Sequence, residues 1–132
     1  MEASIFTKIV KGEIPAYKIA EDDRYLAFLD VFPTTKGHTL VIPKQQIDYI
    51  FDLEDELYLG LMAFAKNVAC ALEKAVPCKR VGVAVVGLEV PHAHVHLIPI
   101  NSMQDMNFAN KQQFSQAEFE EVAEKIRAEY HL

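Results

Sequence analysis

The chain has 132 residues, of which 51% are hydrophobic and 24% are charged, and its formal net charge is -6. This composition indicates a globular protein with its own core, and the apolar runs fall far short of the roughly 20 residues that span a membrane. The negative charge argues against a general binder of nucleic acid polymers, which needs clustered Lys and Arg, whereas a single phosphate needs only a few local donors.

The N-terminal half predicts a short helix followed by three strands. Residues 4–11 carry apolar side chains at helical spacing and predict a short amphipathic helix. Residues 17–21 and 25–30 predict a β-hairpin around the turn at residues 22–23. The β-branched run at residues 38–43 predicts a central strand with His38 at its entrance.

The C-terminal half predicts two helices that flank two strands. A helix that begins near Asp52 and ends before Pro77 carries one apolar stripe. Residues 80–86 predict a strand that pairs antiparallel with the strand after it, and Ser115 with Glu118 resembles the capping box of a last helix. The elements together predict a single α+β domain over residues 1–132. The stripe on the long helix consists of Leu57, Leu61, Phe64, Val68 and Leu72.

The start of the chain and its cysteines suggest where the protein resides. The first four residues are neither basic nor followed by a long apolar run, so no secretory signal is visible. The only cysteines, Cys70 and Cys78, do not form a CxxC pair, which favours two free thiols in a reducing compartment. We therefore expect a cytoplasmic protein.

Three of the five histidines, His92, His94 and His96, recur at every second residue between Pro91 and Pro99. In a strand they share one face, and three imidazoles on one face are hard to attribute to packing. Three interpretations are open. The histidines are incidental polar residues, or they bind a metal together with His38 as a third ligand. Alternatively, they form a catalytic group in which one imidazole attacks phosphorus. The absence of Asp or Glu soon after His96 counts against a metal. For the catalytic group, repulsion between like charges predicts some protonated and some neutral imidazoles.

Four segments resemble the Hint-like branch of the histidine-triad (HIT) nucleotide-binding superfamily. Residues 92–98 resemble its alternating histidine signature, and the similarity extends through residues 4–16, 21–30 and 37–44. The resemblance implies an α+β fold, with an antiparallel sheet of about five strands, one long helix, a short N-terminal helix and a C-terminal helix. It covers residues 4–99 and leaves residues 100–132 as a C-terminal extension that lengthens a dimer, covers the active site or caps the fold.

The resemblance also implies roles for individual residues. His94 is the nucleophile that forms a covalent nucleotidyl intermediate, and His38, His92 and His96 orient it, bind phosphate and assist the leaving group without a metal or cofactor. Asp30 matches the acid that accepts hydrogen bonds from the ribose hydroxyls. A set of apolar residues, which would otherwise be assigned to the core, matches the slot for the base. These residues are Ile5, Phe6, Ile9, Phe28 and Val31.

The sequence departs from the family at two places. The polar segment usual before the triad is replaced by the shorter, apolar residues 85–91, in which Glu89 either takes over part of its role or is a solvated turn acid. Some bacterial members hold a structural zinc with two cysteines and a histidine, and the matching positions here are Ser4, Thr7 and Gln46. We expect that zinc site to be absent.

His96 at the third triad position favours a hydrolase over a transferase within this superfamily. The resemblance thus implies a homodimeric hydrolase of purine nucleoside phosphoramidates or related phosphate esters and anhydrides, without nucleic acid polymer or membrane partners. The alternative is a nucleotide-binding regulatory protein with little turnover. The stripe at residues 57–72 either forms the dimer interface or packs on the sheet.

Overall fold

The computed structural model describes residues 2–131. It contains five strands and three α-helices within that range, in an order close to the predicted one. No helix among these residues combines the length and apolar character needed to cross a bilayer. The elements are α1 (Ile5–Val10), β1 (Lys18–Glu21), β2 (Tyr25–Leu29), β3 (Thr39–Pro43), α2 (Asp55–Ala75), β4 (Arg80–Ala84), β5 (Val95–Ile100) and α3 (Gln116–Glu129).

The strands form one antiparallel sheet with the order β1-β2-β3-β5-β4. β3 is central, as its β-branched sequence predicts, and β4 lies at an edge. In the register of the sheet, Leu40 of β3 and Ala84 of β4 lie opposite His96 on either side. The predicted α+β class with an antiparallel sheet of about five strands is confirmed.

Helices α2 and α3 cover one face of the sheet, and α1 lies on the other. All five residues of the predicted stripe on α2 are buried in the larger core, which also contains Val122 and Ile126 of α3. The stripe at residues 57–72 therefore packs on its own sheet and is not available as a subunit interface. A second, smaller core joins Phe6 and Ile9 of α1 to Phe28 of β2.

The helix ends follow the capping chemistry of the sequence. The Ser4 side chain accepts a hydrogen bond from the backbone N–H of Thr7 and caps α1. Ser115 and Glu118 form the predicted capping box at the start of α3. The long helix begins three residues later than predicted, at Asp55, because Ile50–Asp52 form a separate 3-10 turn.

The histidine segment is only partly strand. β5 begins at Val95, so His92 and His94 precede it. Between them, the N–H of Ala93 donates to the Ile47 carbonyl, which lies outside the sheet, and not to a neighbouring strand. The predicted alternation nevertheless holds. Ala93 and Val95 lie in the helix-covered core, whereas Phe6, on the other side, packs against the rings of His92 and His94.

Candidate active site

Four imidazoles meet where β3 and β5 lie side by side. Nε2 of His38 is 2.9 Å from Nδ1 of His96, and the rings of His94 and His96 have centroids 5.0 Å apart. All four histidines, His92 included, are buried, the most exposed being His96 at 8%. The structure thus brings together the four histidines singled out in the sequence.

Backbone carbonyls determine which nitrogens of His92 and His94 carry protons. A carbonyl oxygen only accepts, so Nε2 of His92 donates to Pro43 O over 2.8 Å. Likewise, Nδ1 of His94 donates to His92 O over 2.7 Å. A neutral imidazole has one N–H, so Nε2 of neutral His94 presents a lone pair. This is the form that a nucleophilic imidazole requires.

A backbone amide determines in the same way which nitrogens of His38 and His96 carry protons. The N–H of Thr34 donates to Nδ1 of His38 over 3.0 Å, so the proton of neutral His38 lies on Nε2. That N–H donates to Nδ1 of His96. The proton of His96 therefore lies on its own Nε2, which can donate to an anionic oxygen or a leaving group.

Burial keeps three of the histidines neutral. Desolvation is the largest cause that lowers the pKa of His38 and His96 to about 3, and it also lowers the pKa of His92. Neighbouring charges are secondary causes. Near neutral pH these three imidazoles are therefore fixed N–H donors and acceptors, and burial contributes more to this state than repulsion between like charges.

A carboxylate completes a set of three groups that could hold a metal ion, since suitable atoms of Asp30, His38 and His96 lie within 4.8 Å of one another. The carboxylate comes from Asp30, which follows β2, and not from the residues after His96. The donor chemistry does not fit a metal, however. Nε2 of neutral His38 bears a proton because Thr34 occupies Nδ1, whereas a metal needs the Nε2 lone pair. Binding would break the Thr34 hydrogen bond.

The ring of Phe6 lies in the smaller core with Ile9 and Phe28, two of the other residues matched to the base slot. Its centroid lies 5.5 Å from that of Phe28 and 5.0 Å from that of His94. Ile9 and Phe28 are buried, while Ile5 and Val31 are about half exposed, at 49% and 50%. We infer that Ile5 and Val31 are the members best placed to touch a ligand, whereas Ile9 and Phe28 mainly support Phe6.

Asp30 follows β2 and lies beside His38. One carboxylate oxygen accepts from the N–H of Phe32 over 2.8 Å, and the other is 3.6 Å from Nε2 of His38. The backbone N–H of Asp30 also donates to the His38 carbonyl over 2.9 Å. The carboxylate is thus fixed beside the imidazoles, where it can accept hydrogen bonds from hydroxyl groups of a ligand.

Comparison with known proteins decides the family. The family model described as the HIT domain matches residues 11–103. The chain belongs to the HIT family. Over an alignment of 131 residues it is 34% identical to an uncharacterized HIT-like protein of Borreliella burgdorferi, and the match covers 92% of this chain and 94% of that one. Over an alignment of 100 residues it is 41% identical to the adenosine 5'-monophosphoramidase of Schizosaccharomyces pombe, and the match covers 72% of each protein.

Solved HIT structures show the same fold. A Hit-like protein from Bartonella henselae is 32% identical and has a TM-score of 0.85, with 96% of this chain and 95% of that one covered. A zinc-bound histidine triad family protein from Mycobacterium smegmatis is 29% identical and has a TM-score of 0.84, with 97% and 93% covered. The resemblance recognised in the sequence is confirmed.

The HIT positions matched to a structural zinc hold a hydrogen-bonded cluster in this chain. Oγ of Ser4 is 2.8 Å from Nδ1 of His92, and because His92 donates through Nε2, the Ser4 hydroxyl is the donor. The Thr7 hydroxyl donates to the side-chain oxygen of Gln46 over 2.6 Å. This set of hydroxyl and amide oxygens lacks the thiolates that zinc prefers, and its single imidazole nitrogen already accepts from Ser4. The cluster instead fixes the tautomer of His92.

The apolar loop before the triad lines an open cavity beside His94. This cavity of about 330 Å³ is lined by His94, Tyr49, Phe51, Val86 and Leu88, among others. Glu89 is exposed, and no hydrogen bond or ion pair connects it to a histidine within residues 2–131. Its assignment to the nucleotide site remains a prediction from the resemblance.

Two residues beside the histidines were missed by the sequence reasoning. Thr34 positions His38 through its backbone N–H, and Phe108 packs edge-on against His96 with ring centroids 4.7 Å apart. The contact of Thr34 is made by its backbone, which leaves no side-chain pattern to recognise. Phe108 lies in the segment after β5, where neither periodicity nor the family resemblance offers a guide.

Proposed function

We propose that this chain is a hydrolase of purine nucleoside phosphoramidates, or of related nucleotidyl esters and anhydrides, that works through a covalent nucleotidyl-His94 intermediate. One observation carries the proposal. The hydrogen bond from Nδ1 of His94 to the His92 carbonyl leaves the Nε2 lone pair available for attack. The activity in the name of the S. pombe relative, adenosine 5'-monophosphoramidase, supports nucleoside phosphoramidates as the substrate class.

The reaction has two displacements at one phosphorus. Nε2 of His94 forms a bond to the α-phosphorus, and the bond from phosphorus to the leaving nitrogen breaks. The amine takes a proton that the His38/His96 pair acquires from solvent when the anionic substrate binds, and the pair thereby returns to its neutral form. Water then attacks phosphorus, and the bond to His94 breaks. The released nucleotide keeps the hydroxyl of the water, and the remaining proton returns to the pair.

The other residues position the substrate. Asp30 accepts hydrogen bonds from the ribose hydroxyls, and the purine contacts Ile5, Phe6 and Val31. Nε2–H of His96 donates to a phosphoryl oxygen, where negative charge grows in the transition state. Because the rings are held by backbone partners, little reorganisation is needed when the charge develops.

A single-turnover experiment tests the function. Excess protein is mixed with adenosine 5'-monophosphoramidate near neutral pH, quenched at intervals and mapped by mass spectrometry. We expect an adenylyl adduct on the peptide that contains His94, which appears first and then decays as AMP is released. AMP binding without an adduct or turnover would contradict this proposal and favour the nucleotide-binding regulatory protein.

We also propose that the protein forms a homodimer through the edge of its sheet. β4 is an edge strand, and apolar side chains on it and just beyond it are exposed: Val83 at 54%, Val86 at 51% and Leu88 at 88%. A second copy would cover this apolar edge. Sedimentation should give a dimer for the native protein and a monomer for Val83→Glu, and a native monomer at micromolar concentration would contradict the proposal.

A further inference from the structure

The segment after β5 folds back over the histidines. The ring centroid of Phe108 lies 4.7 Å from that of His96 and 6.1 Å from that of His38. Phe108 is partly buried, whereas its neighbours at positions 107 and 109 are exposed. Residues beyond the triad thus form one wall of the candidate active site.

This wall is tied to the loop that holds His38. The hydroxyl of Thr34 donates to the Asp105 carbonyl over 2.7 Å, and the N–H of Gln112 donates to the Pro33 carbonyl over 2.7 Å. The backbone N–H of Thr34 meanwhile donates to His38. One short loop therefore fixes both the imidazole and the segment that covers it.

The same wall brings a positive charge to the site. Nζ of Lys111 lies 5.5 Å from the centroid of the Phe108 ring, a distance typical of a cation-π contact. Lys111 is exposed and makes no ion pair with any residue in the described part of the chain. Its charge helps to lower the pKa of both His38 and His96, although less than burial does.

We propose that Lys111, positioned by Phe108, binds the phosphate of the nucleotide substrate. The inference rests on the proposed function, which puts an anionic phosphorus group against His94 and His96. The chain as a whole carries a net charge of -6, so a lysine beside the histidines supplies local attraction that the overall charge does not. The neutral imidazoles can donate hydrogen bonds, and Lys111 adds the positive charge that they lack.

Binding of AMP and of adenosine separates a phosphate contact from a general effect. We expect Lys111→Met to weaken AMP binding about 10-fold, the size expected for one partly exposed contact with a charged group. Adenosine, which has no phosphate, should bind as it does to the native protein. Lys111→Arg should recover most of the AMP affinity. Both ligands are measured by calorimetry or, where binding is weak, by inhibition of turnover.

Matched variants test position as well as charge. Lys66→Met removes the same charge from an exposed position on α2, and AMP should bind this variant as it binds the native protein. Phe108→Leu keeps an apolar side chain but removes the ring, so it should weaken AMP binding by a smaller factor than Lys111→Met and leave adenosine unaffected.

Three results would overturn the inference, and they show whether the proposed function fails with it. Native AMP affinity in Lys111→Met, or equal losses for AMP and adenosine, would defeat the role of Lys111 while leaving the hydrolase proposal intact. Failure of the native protein to bind AMP at all would defeat the proposed function, and this inference with it.

Discussion

Replacement of His94 by alanine should lower kcat/KM for adenosine 5'-monophosphoramidate by about 10³ to 10⁵-fold, because it removes the atom that attacks phosphorus. The loss should fall mainly on kcat. Asp30 and the apolar slot around Phe6 remain, so the variant should still bind AMP. Steady-state kinetics together with AMP binding measure the two effects on the same preparation.

A second variant separates a lost nucleophile from a damaged fold. His94→Gly opens space where the imidazole ring lay, and added imidazole should restore part of the turnover because it supplies the missing nucleophile. His131→Ala, which changes an exposed histidine near the end of the chain, should have native kinetics. A His94→Ala variant that keeps more than about a tenth of native kcat would show that another group attacks phosphorus.

Much of the fold could be predicted because its signals are local. Alternating side chains identify which face of the histidine segment points to the core, and a spacing of three to four residues identifies the buried stripe of α2. Both signals agree with the structure at Val95 and Leu61, which are fully buried. The alternation does not require hydrogen bonding to the sheet, so it could not show that β5 begins only at Val95.

The surroundings of the histidines were harder to predict because they depend on contacts between distant segments. Asp30 reaches His38 through the pairing of β2 with β3, and Phe108 reaches His96 because the chain turns back after β5. Neither contact can be read from the residues around the histidines alone. The burial that lowers the pKa of His38, His92 and His96 could not be predicted for a related reason, since spacing reveals neighbouring charges but not depth of burial.

Lowering the pH from 7 to 5 should destabilise the protein through its buried histidines. The pKa of His38 and of His96 is about 3 in the folded protein but near 6.5 in an unfolded chain. Below pH 6.5 the unfolded chain therefore binds protons that the folded protein excludes, and the free energy of unfolding falls as the pH falls. The full stability is present above pH 6.5, and the loss continues down to about pH 3.

The expected loss is a large fraction of the free energy of unfolding of a typical domain, which is about 5–15 kcal/mol. Each histidine that stays neutral in the folded protein lowers the free energy of unfolding by about 1.4 kcal/mol per pH unit below pH 6.5. His38 and His96 together therefore lower it by about 4 kcal/mol between pH 6.5 and pH 5. His92, whose pKa is also lowered, adds to this loss. Glu21 and Glu118, whose carboxyl pKa values lie below 4.5, titrate outside this window.

Urea unfolding followed by far-ultraviolet circular dichroism suits the measurement, because the chain has no tryptophan. The free energy of unfolding should change little between pH 7 and pH 8 and then fall steeply towards pH 5. In His96→Gln the slope between pH 6 and pH 5 should be smaller by about 1.4 kcal/mol per unit, whatever the absolute stability of the variant. An unchanged slope in that variant, or a flat profile in the native protein, would mean that these imidazoles take up protons while the protein stays folded. The fixed array of neutral donors and acceptors around His94 would then not describe the protein below neutral pH.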